Sequence, residues 1–123
     1  MATILIVEDE VFIRGTAEYT IEDLGHDTLI ACDVTEALSH LKSTSGIDAL
    51  FVDMRLFTEA LAGYEIANEA IRLRPGLRVL YTSGSTLTDD MTRRFVSGGR
   101  FLQKPYSLAQ LESSVGALLR NEP

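Results

Sequence analysis

The sequence predicts an α/β fold in which β-strands and α-helices alternate around a mostly parallel sheet. One observation is a series of short apolar runs, most of them rich in Ile, Val, Leu or Phe without polar alternation, as in strands covered on both faces. The other is the helical spacing of apolar residues in the segments between these runs. Such alternation favours right-handed βαβ units, and the length of 123 residues suits one domain, residues 1–123.

Five apolar runs have the length of ordinary strands. The first two, TILIV and TLIAC, consist almost entirely of apolar residues, and ALFV, RVLYT and RFLQ follow them along the chain. The predicted strands cover residues 3–7, 28–32, 49–52, 78–82 and 100–103.

Two helices are predicted between the first three strands. The second of them starts at DVTE, in which Asp33 is the expected N-cap and Glu36 stands three residues later. Its apolar face lies within residues 34–41. The apolar stripe of the first helix consists of Ile13, Ala17, Ile21 and Leu24, at i, i+4, i+8 and i+11.

Three further helices are predicted in the second half of the chain. Residues 66–71 carry the stripe of the third helix, which Pro75 and Gly76 end. A shorter fourth stripe consists of Leu87, Met91 and Phe95. The last helix covers the apolar positions of residues 108–118, and its start, SLAQ, has the pattern of a capping box.

Composition and charge exclude several classes of protein. The net charge is −7 at pH 7 and we find no basic stripe, which argues against direct binding of nucleic acid. We find no run of about 18 apolar residues and no signal-peptide pattern, so we expect no membrane contact. Cys32 is the only cysteine, which fits a reducing compartment, and we therefore expect a cytoplasmic protein.

Polar residues follow four of the five predicted strands. Because the carboxyl ends of parallel strands share one edge of the sheet, we expect these side chains to converge on a ligand site. They are the acids Glu8, Asp9 and Glu10 after the first strand, Asp53 after the third, Thr82 and Ser83 after the fourth, and Lys104 with Pro105 after the fifth.

Crowded carboxylates at this edge predict a hard divalent cation. Two carboxylates about 4 Å apart repel by about 4 kcal/mol at an effective dielectric constant of about 20. Oxygen ligands without His or Cys favour Mg²⁺, which readily shares a phosphate oxygen. Asp53 could then act as a nucleophile toward a phosphoryl group, with Lys104 and the Thr82 hydroxyl stabilising the transferred charge.

Four motifs together carry a resemblance to a known family. ILIVEDE, FVDMRL, VLYTSG and FLQKPY stand in the order and spacing of a two-component response-regulator receiver domain of the CheY-like superfamily. Each of these residues alone has a purely structural explanation, such as helix capping or a solvent-exposed lysine. The coincidence of all four motifs favours a functional site instead. The resemblance implies a flavodoxin-like, doubly wound (βα)5 fold with a five-stranded parallel sheet in the order 2-1-3-4-5.

The resemblance also implies a phosphorylation site and a metal site. Asp53 matches the aspartate that accepts the phosphoryl group. Glu8 and Asp9 match the acidic pair that holds Mg²⁺, directly or through water. The backbone carbonyl of Arg55 matches the third protein ligand of the metal, beside the carboxylates.

Further roles follow from the same resemblance. Thr82 matches the switch hydroxyl that moves toward the phosphoryl group, and Lys104 matches the lysine that pairs with that group. Phe101 matches the switch aromatic residue. The Lys104–Pro105 peptide bond is expected to be cis, as in the family.

The loop after Asp53 departs from the family pattern. Phe57 stands where the family usually has proline, and Gly63 arrives about two residues late. We therefore expect the loop over residues 55–63 to be longer and more mobile. The bulky Arg55 and the small Gly84 are hypothesised to set the lifetime of the phosphoryl group by controlling water access.

The resemblance implies a receiver that takes a phosphoryl group from a histidine kinase or phosphotransfer protein and then switches a surface for a downstream protein target. Such a protein is a phosphoacceptor with autophosphatase activity rather than a turnover enzyme, and phosphorylation-dependent dimerisation stays open. The alternatives are an interaction module that is not phosphorylated and a receiver fragment of a hybrid histidine kinase. A flavin-binding protein is disfavoured because three acids after the first strand would repel the flavin phosphate, and a phosphatase of another α/β fold would need an Asp-x-Asp placement there.

Overall fold

A computed structural model describes residues 1–120, so the end of the predicted domain, residues 121–123, lies outside the described residues. Strands and helices alternate along the chain as expected. The strands are β1 Thr3–Val7, β2 Asp27–Ala31, β3 Ala49–Asp53, β4 Arg78–Ser83 and β5 Arg100–Gln103. The helices are α1 Val11–Asp23, α2 Val34–Ser43, α3 Ala62–Leu73, α4 Asp89–Arg94 and α5 Leu108–Arg120.

The five strands form one parallel sheet in the order β2-β1-β3-β4-β5. This order confirms the doubly wound, flavodoxin-like fold class. Every residue of the central strand β3 is buried, as a strand covered on both faces should be. The edge strand β2 is more open, and Ile30 leaves 38% of its surface exposed, so coverage on both faces does not extend to this edge.

Each face of the sheet carries its own hydrophobic cluster. Successive side chains of a strand point to opposite faces. Leu50 and Val52 of β3 therefore join the cluster that includes α2 and α3, whereas Phe51 joins the cluster that includes α1 and α5. The sheet is thus held between two layers of helices, which fixes the positions of the strand ends.

Helix starts follow the predicted capping chemistry. Asp33 accepts a hydrogen bond from the Glu36 amide at 2.8 Å and caps α2. At the start of α5, the Ser107 amide donates to Gln110 Oε1 at 2.8 Å and the Gln110 amide donates to Ser107 Oγ at 3.1 Å, which is a reciprocal capping box. The third acid after β1, Glu10, caps α1 by accepting from Ile13 N at 2.8 Å.

The fourth helix is shorter than its apolar stripe. Thr88 caps α4 by accepting a hydrogen bond from Met91 N, so the helix begins after Leu87. Phe95 leaves the helix with an extended backbone and stacks on Tyr81, with the ring centroids 4.2 Å apart. Among residues 1–120, no helix is long and apolar enough to cross a bilayer.

Candidate functional site

The ends of β1, β3, β4 and β5 meet at a cleft of about 380 Å³. Parallel pairing places Asp53 beside Thr82 and Thr82 beside Leu102, so the segments that follow these strands emerge side by side. The cleft is lined by Asp9, Asp53, Arg55, Phe57, Ser83, Gly84, Ser85 and Lys104. Glu8 lies beneath it and is buried.

Lys104 joins two of the buried carboxylates. Its Nζ lies 2.9 Å from Asp53 Oδ2 and 2.6 Å from Glu8 Oε1. Asp53 and Glu8 are 6% and 3% exposed, so neither charge is well solvated. One ammonium therefore serves two carboxylates, and this group of three side chains carries a net negative charge when all are ionised.

Burial and charge sharing perturb the pKa values of this group. Burial of the Glu8 carboxyl raises its pKa to about 7, and the neighbouring Asp53 charge also raises it, while Lys104 acts in the opposite direction. Burial alone would lower the pKa of Lys104, but its hydrogen bonds to Glu8 and Asp53 outweigh that effect and raise it. Lys104 therefore stays a cation, and the buried Glu8 carboxyl takes up a proton more readily than a solvated one.

Carboxylate oxygens of Glu8, Asp9 and Asp53 all lie within 4.8 Å of one another. Oxygen-only donors that converge in this way suit Mg²⁺, and the residues present therefore fit that ion. Arg55 lies in the same cleft, its amide donates to Asp53 Oδ1 at 3.2 Å, and its side chain is exposed. The sequence-predicted metal ligands are thus brought together at one place.

Thr82, the expected switch hydroxyl, is the register partner of Asp53 on the neighbouring strand. Thr82 is buried and its Oγ1 donates to the Leu102 carbonyl at 2.7 Å, so the hydroxyl is already engaged by the neighbouring strand. Ser83 is the residue of β4 that lines the cleft, and its Oγ accepts from the Ser85 amide at 3.0 Å. One step along a strand reverses the direction of a side chain, which is why Thr82 and Ser83 differ.

Phe101 lies on β5, half-buried, three residues before Lys104. Its ring lies 6.3 Å from that of Phe95, which in turn stacks on Tyr81. Phe101 therefore belongs to an aromatic row that runs from the sheet to the residue after α4. The Lys104–Pro105 peptide bond is cis.

The loop after β3 is closed by hydrogen bonds at both ends. Leu56 and Glu59 exchange backbone hydrogen bonds of 3.2 and 2.9 Å across a two-residue turn, in which Phe57 has a φ of 54°. The Phe57 amide donates to Asp9 Oδ2 at 2.7 Å. Gly63 donates to the Met54 carbonyl at 3.0 Å, so the longer loop returns to the end of β3. Sequence reasoning noted Phe57 as a departure but missed its contact with Asp9.

Comparison with known proteins agrees with this geometry. The family model described as response regulator receiver domain matches residues 4–116. A probable transcriptional regulator, ycf27 of Porphyridium aerugineum, is 28% identical over 117 residues, which cover 95% of this chain and 48% of that protein. The sensor kinase CckA of Brucella abortus is 27% identical over 124 residues, which cover 98% of this chain and 13% of the kinase.

A solved structure extends the similarity to three dimensions. The crystal structure of a response regulator receiver protein from Sinorhizobium medicae matches with a TM-score of 0.85 and 28% identity. The match covers 97% of this chain and 94% of that one. The chain thus spans nearly all of that receiver, but only about half of the regulator and a small part of the kinase.

Proposed function

The chain belongs to the response regulator receiver domain family of two-component signalling, and we propose that Asp53 accepts a phosphoryl group from a histidine kinase or a phosphotransfer protein. The observation that supports this most directly is the Lys104 ammonium 2.9 Å from Asp53 Oδ2. A carboxylate nucleophile beside a fixed cation has a counter-charge already in place for the incoming group. Similarity to a transcriptional regulator and to a sensor kinase supports the same class of partner.

In the proposed transfer, an oxygen of Asp53 attacks phosphorus and forms a P–O bond. The P–N bond to the donor histidine breaks, and its electron pair goes to the imidazole. Lys104 stabilises the charge on the transferred oxygens, and Thr82, which pairs with Asp53 on the adjacent strand, is the proposed switch hydroxyl. Attack of water on phosphorus later releases phosphate and restores Asp53, so the chain is a phosphoacceptor with autophosphatase activity rather than a turnover enzyme.

The proposed metal ligands are the carboxylates of Glu8, Asp9 and Asp53 with the backbone carbonyl of Arg55. Mg²⁺ bound there would neutralise charge on the phosphoryl oxygens. Glu8 and Asp53 also hold Lys104, and Asp9 is held by the loop after β3. The three carboxylates are thus oriented by contacts within the chain, which favours a defined coordination geometry.

The proposed output is a change at the face that carries α4, β5 and α5. Lys104 belongs to the segment directly after β5, and its amide donates to the Ser83 carbonyl at 2.8 Å. The Thr82 hydroxyl also donates to the Leu102 carbonyl of β5 at 2.7 Å. Movement of Thr82 toward a phosphoryl group would therefore be felt by β5 and by Phe101, the proposed switch aromatic. A downstream protein target would recognise that face, and neither nucleic acid nor membrane contact is part of the proposal. The proposed domain comprises residues 1–123 and is cytoplasmic.

The test is incubation with Mg²⁺ and acetyl phosphate, followed by intact-mass measurement. We expect one phosphoryl adduct on wild type, none on Asp53→Asn, and none on wild type after chelation. Asp27→Asn is the matched control, because Asp27 is an exposed aspartate at the other end of the sheet and should leave the adduct unchanged.

Two outcomes would contradict the proposal. An adduct on Asp53→Asn equal to that on wild type would remove Asp53 from its role. No adduct on folded wild type with several donors would favour the second candidate, a receiver-fold interaction module that is not phosphorylated. The ion pairs of Lys104 disfavour that candidate, because a scaffold gains nothing from buried like charges.

A further inference from the structure

The loop after β3 and the loop after β1 are joined by one hydrogen bond to a proposed metal ligand. The Phe57 amide donates to Asp9 Oδ2 at 2.7 Å, across 48 residues of sequence. A charged acceptor and a short distance mark this as one of the stronger kinds of protein hydrogen bond. Asp9 has two carboxylate oxygens, so the second remains available to a cation.

The Phe57 amide is held in place by the hydrogen-bonded turn to which it belongs. Leu56 is buried and exchanges two backbone hydrogen bonds with Glu59, which closes the turn at its base. Within this turn Phe57 has a φ of 54°, a left-handed conformation that is uncommon for a residue other than glycine. Phe57 is 62% exposed, so burial of the residue does not explain the conformation.

We propose that the Phe57 backbone amide is a positioning group that orients Asp9 for cation binding, and that cation binding in turn fixes the conformation of the turn formed by residues 56–59. This inference rests on the proposed metal site and adds to it a group that supplies no ligand atom. Hydrogen-bonded partners of metal ligands fix the orientation of those ligands, and their loss typically weakens metal affinity about 10- to 100-fold. Coupling of this kind is reciprocal, so the cation must also stabilise the hydrogen bond.

The proposed role of the Phe57 amide predicts which residues can replace Phe57. A proline there would have no N–H, and its ring fixes φ near about −65°, which is incompatible with the observed turn. A glycine would keep the N–H and adopt the left-handed conformation without strain. Phe57→Gly and Phe57→Pro therefore separate the amide from the aromatic ring, because both variants lose the ring and only one loses the donor.

The first experiment measures the Mg²⁺ dissociation constant by isothermal titration calorimetry. We expect Phe57→Gly to bind within about twofold of wild type and Phe57→Pro to bind about tenfold more weakly. Equal affinity of wild type and Phe57→Pro would overturn the inference while leaving the metal site intact. Absence of Mg²⁺ binding by folded wild type would instead refute the metal part of the proposed function.

The second experiment measures hydrogen exchange of the Phe57 amide by NMR and does not depend on whether Phe57→Pro folds. In metal-free protein, Asp9→Ala should speed exchange of this amide by roughly tenfold or more. Glu10→Ala, which removes only the neighbouring acid that caps α1, should leave the exchange rate unchanged. Mg²⁺ should slow the exchange in wild type. Equal exchange in Asp9→Ala and wild type, or exchange unaffected by bound Mg²⁺, would contradict the coupling.

Discussion

Gly63 lies so close to the end of β3 that one added methyl group tests the packing of the site. A Cβ there would lie 2.6 Å from Met54 Cα and 2.7 Å from the Asp53 carbonyl oxygen. Both neighbours are backbone atoms at the end of β3, so neither can rotate away. Gly63→Ala therefore forces either the start of α3 or the strand that carries Asp53 to move.

The size of the effect follows from two opposing terms. Overpacking of this kind costs about 1–3 kcal/mol, and the higher helix propensity of alanine offsets up to about 1 kcal/mol of that. We expect Gly63→Ala to lower the free energy of unfolding by about 1–2 kcal/mol. Gly15→Ala in α1 is the matched control, because its Cβ would meet no heavy atom within 4 Å. That variant should gain about 0.5–1 kcal/mol.

Urea unfolding followed by circular dichroism in metal-free buffer measures both variants. The unfolding midpoint should fall for Gly63→Ala and rise for Gly15→Ala, with similar slopes. Labelling of Gly63→Ala by acetyl phosphate should also slow, because displacement of a reacting group by about 1 Å costs up to about 100-fold in rate. If Gly63→Ala were as stable as wild type while Gly15→Ala showed its gain, α3 could not lie against β3 as described.

Three further predictions, which use four substitutions, test charges and hydrogen bonds around the site. Burial raises the pKa of Glu8 from 4.5 to about 7 in the folded chain, so without divalent cations the free energy of unfolding should fall as pH rises from about 4.5 to about 7 and level off above that. Glu8→Gln should remove that slope from urea unfolding measured at several pH values; an identical slope would contradict the assignment. Thr82→Val removes the proposed switch hydroxyl and its bond to Leu102, so it should slow acetyl phosphate labelling more than Ser83→Ala does and lower stability by about 1 kcal/mol in urea unfolding; slower labelling in Ser83→Ala alone would give the role to Ser83. Tyr81→Phe leaves the Val96 amide without its acceptor at 3.0 Å, so it should lower the free energy of unfolding by about 1–2 kcal/mol and lower the thermal unfolding midpoint. A midpoint equal to that of wild type would show instead that water replaces the bond.

The sequence predicts the convergence of Glu8, Asp53 and Lys104 well, because that convergence depends only on strand order and on the rule for strand ends in parallel sheets. It does not separate Thr82 from Ser83. Two adjacent hydroxyl residues carry no periodic signal, and their directions depend on where β4 ends, which is the least certain property of a predicted element. Alternation along β4 is the signal that distinguishes them, because Thr82 is the register partner of Asp53 and Ser83 points to the opposite face of the sheet.

Contacts made by backbone groups are also invisible to sequence patterns. Phe57 draws attention as a departure from the family, but its role depends on an amide that every residue except proline possesses. Phe95 extends the apolar stripe of Leu87 and Met91, which predicts that Phe95 is helical. Stacking on Tyr81 ends α4 one residue earlier, because tertiary packing overrides a weak local preference.

The shared ammonium of Lys104 would connect the proposed chemistry of the site to its proposed output. In the unphosphorylated chain, Lys104 Nζ contacts both Asp53 and Glu8. In the proposed acyl phosphate of Asp53, the negative charge would lie on phosphoryl oxygens farther from the sheet, and the ammonium would gain most by following them. Glu8 would then lose its counter-charge in a buried place, where an unpaired carboxylate takes up a proton unless a cation is present. Because Lys104 directly follows β5 and its amide donates to the Ser83 carbonyl, we expect this proposed movement to act on β5 and on Phe101 within it.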